Sequence, residues 1–283
     1  MQQRNMLSGK VAIVTGASRG LGQYCAMAFA AEGAKVAVVG RSARETNLHM
    51  PGNVYFTADM IEELTGEEAL PILCDVSDPQ AVESMVYQVL QKWGKVDILL
   101  NNASFVLPEG ESFVEIPPRI FEQMMQINVL GAFHVVRAVL PTMRARQNGN
   151  IINISGRSRY GGTPLEATKV AIEVMTTGLA ESLYADGIAV NSLRPAGFID
   201  TPGVLLNRDV KPGDLMMPYS YVDASLLLAT QTADTYTGQI RTDAEIIRDL
   251  STEVVLTRYK QMNPPQWRNS LETWSIDGFT RGR

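Results

Sequence analysis

KVAIVTGASRGLG, residues 10–22, joins a continuous apolar run to a glycine-rich turn. Residues 10–16 read as a buried strand, because Val, Ala and Ile follow one another with no polar alternation. A helix over residues 21–32 follows. Gly16, Gly20 and Gly22 let the backbone turn tightly between the two, and they let it approach a ligand closely. A helix N-terminus at that turn offers free N–H groups and a partial positive charge, which suits a pyrophosphate. Ser18, Arg19 and Leu21 complete the loop that would hold it. Three glycines alone also mark ordinary turns; their place after a strand and before a helix is what gives the pattern meaning.

The same alternation continues outward from this unit. Strands are expected at residues 35–40, 69–76, 95–103, 149–155 and 188–195. Helices are expected near 57–64, over 79–93 and 118–146, and from Pro164 onward. Apolar strands separated by helices imply a parallel sheet covered on both faces. Residues 239–250, QIRTDAEIIRDL, are expected to supply a last strand and a turn. The fold class is therefore α/β, a doubly wound Rossmann-type sheet in a single domain over residues 1–250. Residues 251–283 form a C-terminal extension without periodicity, docked or partly disordered; Trp267 and Trp274 favour docking.

The 283 residues are 45% apolar and 19% charged, with a net charge of −5. That is ordinary for a soluble domain, and without a basic block it offers no nucleic-acid footprint. Cys25 and Cys74, placed in a helix and a strand, read as buried free thiols and not as a disulfide framework. The opening MQQRNMLSGK has no apolar core, and no apolar run approaches a membrane span. A cytoplasmic protein with no membrane partner is expected. His49 and His134 lack metal-ligand spacing, so no metal site is expected. No Gly-x-Ser-x-Gly elbow is present, which disfavours a serine hydrolase.

The second strand ends VVGRSARE, residues 38–45. Dinucleotide folds that prefer NAD place an acid there to meet the adenosine ribose. Here Gly40 and Arg41 stand in its place, with Ser42 beside them. A guanidinium suits a 2′-phosphate, and Arg19 could close on the same group, so NADP(H) is favoured over NAD(H). The alternative is that both arginines are solvated.

TGASRGLG, CDV, NNAS, INVLGAF, NIS and a helical Lys169 occur in this order, and over residues 8–242 the chain resembles the short-chain dehydrogenase/reductase superfamily. The resemblance implies that Asp75 and Val76 contact the adenine. It implies that Asn101, Asn102 and Ala103 stabilise the sheet beside the cofactor, with Ser104 replacing a usual glycine. Asn128 would hold a relay water, Ser155 would bond a substrate carbonyl and Lys169 would grip the nicotinamide ribose. Residues 194–203, RPAGFIDTPG, correspond to the segment that meets the carboxamide, which places Pro195, Gly197 and Thr201 at the cofactor. Residues 51–64 and 237–247 look like a branch near the hydroxysteroid-dehydrogenase-like proteins. The family commonly forms homodimers or homotetramers through the helix after NNA and the helix that holds Lys169.

One position departs from the family. Its pattern is Tyr-x-x-x-Lys, and here Leu165 precedes Lys169 by four. Thr163 as N-cap, Pro164 at the first helical position and Glu166 three after Thr163 fix this frame. Leucine has no proton to give. Tyr160, in a loop with Gly156, Gly161 and Gly162, is the candidate substitute acid, against the reading of a loop aromatic covering apolar surface. Arg157, Ser158 and Arg159 share that loop, and an arginine there could hold a carboxylate or a developing enolate. Ser155 could instead only end its strand, Asn128 could be a helix-kink residue, and Lys169 could pair with Glu173 four residues on.

The expected function is an NADPH-dependent reduction of a carbonyl or conjugated alkene on a hydrophobic small molecule. The alternatives are a dehydratase, cyclase or isomerase on the same scaffold, or a non-catalytic NADP(H)-binding protein.

Overall fold

The computed structural model describes residues 6–41, 52–106, 112–157, 161–201, 204 and 212–251. Ser42, Ser158, Arg159, Tyr160 and the extension beyond 251 lie outside the described residues.

The chain runs β1 (Val11–Thr15), α1 (Gly20–Ala31), β2 (Lys35–Gly40), α2 (Val54–Thr65), β3 (Ala69–Leu73), α3 (Pro79–Trp93) and β4 (Ile98–Asn101). It continues through α4 (Pro118–Met124), a π-helical stretch (Met125–Gly131), α5 (Ala132–Ala145), β5 (Gly149–Ile154), α6 (Pro164–Leu183) and β6 (Ile188–Arg194). A short pair, β7 (Phe198–Ile199) and β8 (Leu215–Met216), precedes α7 (Tyr219–Ala229), β9 (Ile240–Thr242) and α8 (Asp243–Leu250).

Seven strands form one sheet in the order β3-β2-β1-β4-β5-β6-β9, every pairing parallel. Alternate residues of each strand face opposite layers. Ala12, Val14, Val36, Val38, Ile152 and Ile154 pack with α1, α2 and α7. Val11, Ile13, Ala37, Val39, Ile151 and Val190 pack with α3, α5 and the end of α6. The doubly wound single domain is thus what continuous apolar strands require. Pro71 lies in β3, an edge strand, where a missing N–H is tolerated.

Because β1 lies between β2 and β4, the chain reverses its direction of travel across the sheet there. Ligands of open α/β sheets settle at the carboxyl ends of the strands at such a point.

Four elements differ from the sequence reading. The helix expected at 57–64 starts at Val54, because Asn53 caps it by accepting from the Phe56 N–H at 2.9 Å. The expected turn near the C-terminus is α8, started by a capping box between Thr242 and Glu245. Helix α7 gives no periodic signal because most of its positions are buried. Finally, Pro118–Ala145 is a 28-residue helical run that by length and hydropathy could cross a membrane. This corrects the expectation that no apolar run approaches that length. Half of its most apolar window is buried inside the protein, with Val135, Val136, Val139 and Met143 in the core beside α3.

Candidate active site

The glycine turn is braced from β4. The Thr15 hydroxyl oxygen accepts from the N–H groups of Asn102 and Ala103, both at 3.0 Å. The Asn102 side-chain amide donates to the carbonyls of Thr15 at 2.9 Å and Gly16 at 3.2 Å. Gly16 has φ +66°, and a Cβ there would stand 2.8 Å from Ala103 Cα. A Cβ on Gly22 would overlap Asn102 Nδ2 and the Gly16 carbonyl. Gly20 has φ +58°, and the nearest side chain to its open face is Thr201, which is buried. The result is a cradle walled by backbone at the start of α1, and its fit to a dinucleotide pyrophosphate follows from shape and dipole together.

The residues expected near the adenosine also gather here. Ser18 and Gly40 lie close, since a Cβ on Gly40 would stand 3.4 Å from Ser18 Cβ. Arg41 Nη1 is 3.8 Å from Asp75 Oδ2, with about half of its side chain exposed. Partial burial pushes the Asp75 carboxyl up, but hydrogen bonds from Ser77 and the charge of Arg41 outweigh that and hold it below its usual range. Arg19 donates instead to the Gly52 carbonyl at 3.2 Å. Gly52, at φ +118°, brings the segment before α2 down onto the Ser18 carbonyl, and sequence reasoning gave it no role. Val76 meets the π-helical stretch, where a Cβ on Gly131 would come within 2.6 Å of Val76 Cγ2.

Asn128, in the middle of that stretch, acts as a clamp. Its Oδ1 accepts from the Phe105 N–H at 2.6 Å and the Ser104 hydroxyl at 3.2 Å. Its Nδ2 donates to the Phe105 carbonyl at 3.1 Å and Thr168 Oγ1 at 3.0 Å. The side chain's hydrogen-bonding capacity is therefore filled within the protein. Widened helical turns of this kind recur at functional sites.

Helix α6 begins as its sequence dictates. Thr163 Oγ1 accepts from the Glu166 N–H at 3.2 Å, while the Glu166 carboxylate reaches the Gly162 N–H at 2.7 Å. Leu165 is half-buried, and Lys169, one turn on, is only 8% exposed. Lys169 Nζ donates to the Ile154 carbonyl at 3.1 Å, at the end of β5. Burial lowers its pKa to about 8. Lys169 does not pair with Glu173.

Glu173 has other partners, and sequence reasoning missed them. Its Oε1 accepts from the Ser155 hydroxyl at 2.9 Å, and its Oε2 pairs with Arg157. Arg194 Nη1 stands 3.8 Å from Oε1. The segment after β6 is fixed by Asp243 at the start of α8, which accepts from the Ala196 N–H at 2.7 Å and the Ser220 hydroxyl at 2.5 Å. Pro195 lies beside this anchor, and Gly197 faces Met216 so closely that a Cβ would stand 2.8 Å from its sulfur.

The sequence model of the short chain dehydrogenase family matches residues 10–209. The chain belongs to that family. It is 30% identical over 248 residues to the 3-oxoacyl-[acyl-carrier-protein] reductase FabG of Thermotoga maritima, covering 83% of this chain and 96% of the relative. An uncharacterized oxidoreductase of Staphylococcus saprophyticus is 33% identical over 200 residues, 69% of this chain and 81% of the relative. The crystal structure of a short-chain dehydrogenase from Mycobacterium thermoresistibile superposes with a TM-score of 0.78 at 33% identity, covering 87% of this chain and 89% of that one. This short-chain dehydrogenase is accordingly an oxidoreductase of a family that binds NAD(P)(H).

Proposed function

We propose that this short-chain dehydrogenase uses NADP(H) to reduce a carbonyl or a conjugated alkene on a hydrophobic small molecule. Its active site has Leu165 where the family keeps tyrosine. When bound, the nicotinamide supplies hydride; the glycine cradle, Arg41 and the Asp75–Val76 edge hold the dinucleotide. The observation that carries the reading is Lys169. A buried ammonium tied to the end of β5 beside Ser155 is costly to place, and a cofactor ribose and a polar reacting group give it partners. The exposed guanidinium of Arg41, close to Asp75, supports a phosphorylated ribose over a bare one. Leu165 makes part of the site apolar, which supports an apolar substrate. Losing a general acid costs about 10²–10⁴ in rate, while proximity and orientation survive, so slow reduction remains feasible.

Apolar side chains left exposed on α5, α6 and the π-helical stretch, namely Leu130, Phe133, Val170 and Val174, support a homodimer or homotetramer through these helices. The two buried free thiols support a reducing compartment, the cytoplasm.

The test is loss of nicotinamide absorbance when NADPH meets a panel of apolar ketones, enones and acyl thioesters. Substrate-dependent oxidation of NADPH, faster than of NADH, is the expected result. Tight NADPH binding with no oxidation across the panel contradicts the redox reading.

A further inference from the structure

Glu173 is 4% exposed beside the end of β5, and the Ser155 hydroxyl it holds is buried with it, while Arg157 reaches solvent. Both of its oxygens are engaged, Oε1 by the Ser155 hydroxyl and Oε2 by Arg157, and Arg194 approaches Oε1 from β6. A carboxylate in ion pairs accepts hydrogen bonds and donates none, so the proton between the two side chains belongs to the serine. A hydroxyl has a single hydrogen. Once Ser155 gives it to Glu173, the serine can meet a ligand only with its lone pairs.

We propose that Glu173 is a positioning residue that presents Ser155 as a hydrogen-bond acceptor, so that the reacting end of the site binds a ligand alcohol in preference to the matching ketone. This rests on the proposed function's reading of Ser155 and Lys169 as that reacting end. Lys169 completes the arrangement: it has three donor hydrogens and gives one to the Ile154 carbonyl, next in the chain to Ser155. A secondary alcohol can donate to Ser155 and accept from Lys169 at once. A ketone can only accept. The alcohol, product of the reduction and substrate of its reverse, is therefore the tighter partner. The arginines hold the device in place. Arg157 pairs with Oε2, and Arg194 has its Nε buried with no hydrogen-bond partner among the described residues. Its ion pair among the described residues is with Glu173.

The experiment is calorimetric titration of α-tetralol into NADPH-saturated protein and of α-tetralone into NADP+-saturated protein. Neither combination can react, since in each both partners are already reduced or already oxidised. Wild type is expected to bind the alcohol tighter by about 3–10-fold, the yield of one additional neutral hydrogen bond. Ser155→Ala keeps every ion pair of Glu173 and is expected to bring the ratio close to one. In Glu173→Gln the new amide can donate to the serine, which frees the serine hydrogen for a ligand, and the ratio is expected to move toward the ketone. Should the loss of the buried carboxylate prevent Glu173→Gln from folding, Ser155→Ala still decides. Equal affinities in wild type, or a preference for alcohol that survives Ser155→Ala, overturn the proposal. Cofactor binding is measured first: its absence removes the proposed function itself, whereas cofactor binding without preference for the alcohol removes only the role of Glu173.

Discussion

Lys169 carries a charge where a charge is expensive. Its pKa of about 8 lies below the unfolded value of 10.5, and desolvation is the cause. The unfolded chain therefore holds more protons than the folded one between these two values, and stability rises with pH across that window. Below about pH 8 the full penalty applies, on the order of 3 kcal/mol for a shift of this size. Lys169→Met is expected to raise the melting temperature at pH 6.5 by several degrees. The advantage should shrink as the pH climbs from 8 toward 10.5. Cys25, pushed up to about 12 by burial, loses stability for both proteins alike above pH 9, so the comparison is made as a difference. A melting temperature unchanged at pH 6.5 would mean that the ammonium is better solvated than its surroundings imply. The placement of Ser155 just after β5 and of Lys169 in the second turn of α6 was legible in the sequence from motif order and from the capping signals around Thr163. Glu173 was not. An acid four residues after a lysine on a helix looks like a local pair, and the residues that claim it arrive from the ends of β5 and β6.

Among the elements, the β1 turn was read correctly because its glycines follow an apolar strand. The reason Gly16 and Gly22 are needed came only from the residues that follow β4. Asn102 and Ala103 occupy the volume that any Cβ at Gly16 or Gly22 would enter. The opposite end of the same strands is pinned by Asp97, which is 2% exposed. It accepts from the Val11 N–H at 2.8 Å and Lys95 at 2.9 Å, and it pairs with Arg146. Burial pushes its carboxyl up, but Lys95, Arg146 and Val11 outweigh burial and hold it below 3.8. Its contribution is thus present above pH 3.8 and lost as the pH falls through the lower folded value. Asp97→Asn is expected to cost about 3 kcal/mol at pH 7 in denaturant melts, the usual scale for breaking a buried ion pair. The deficit should narrow in acid as the wild-type carboxyl takes up its proton. Helix α7 escaped the reading for the opposite reason to β1: a helix buried on nearly all sides has no polar face to mark its period.

At the scale of the whole molecule, the sheet order was implied by repeated strand–helix units, and the right-handed crossovers of parallel strands leave few other topologies. Its consequence is that Gly16, Asn102, Ser155 and the segment after β6 all lie at the carboxyl end of one sheet, although about 180 residues of chain separate the first from the last. The proposed homo-oligomer is a separate matter of surface. Val174 is 67% exposed on α6, and Phe133 and Leu130 are exposed on α5 and the π-helical stretch before it. Phe133→Glu combined with Val174→Asp is expected to convert the proposed dimer or tetramer to monomer in sedimentation velocity, with the sheet intact by circular dichroism. Wild type that sediments as a monomer contradicts this pairing surface.

The measurement that bears most directly on the account is calorimetric titration of NADPH and NADH into wild type and into Gly22→Val. Saturable one-site binding to wild type is predicted, tighter for NADPH and absent from the variant, whose added side chain would fill the space against Asn102. No heat of binding from either dinucleotide to wild type, or undiminished binding to Gly22→Val, would contradict a nucleotide seated at the turn between β1 and α1.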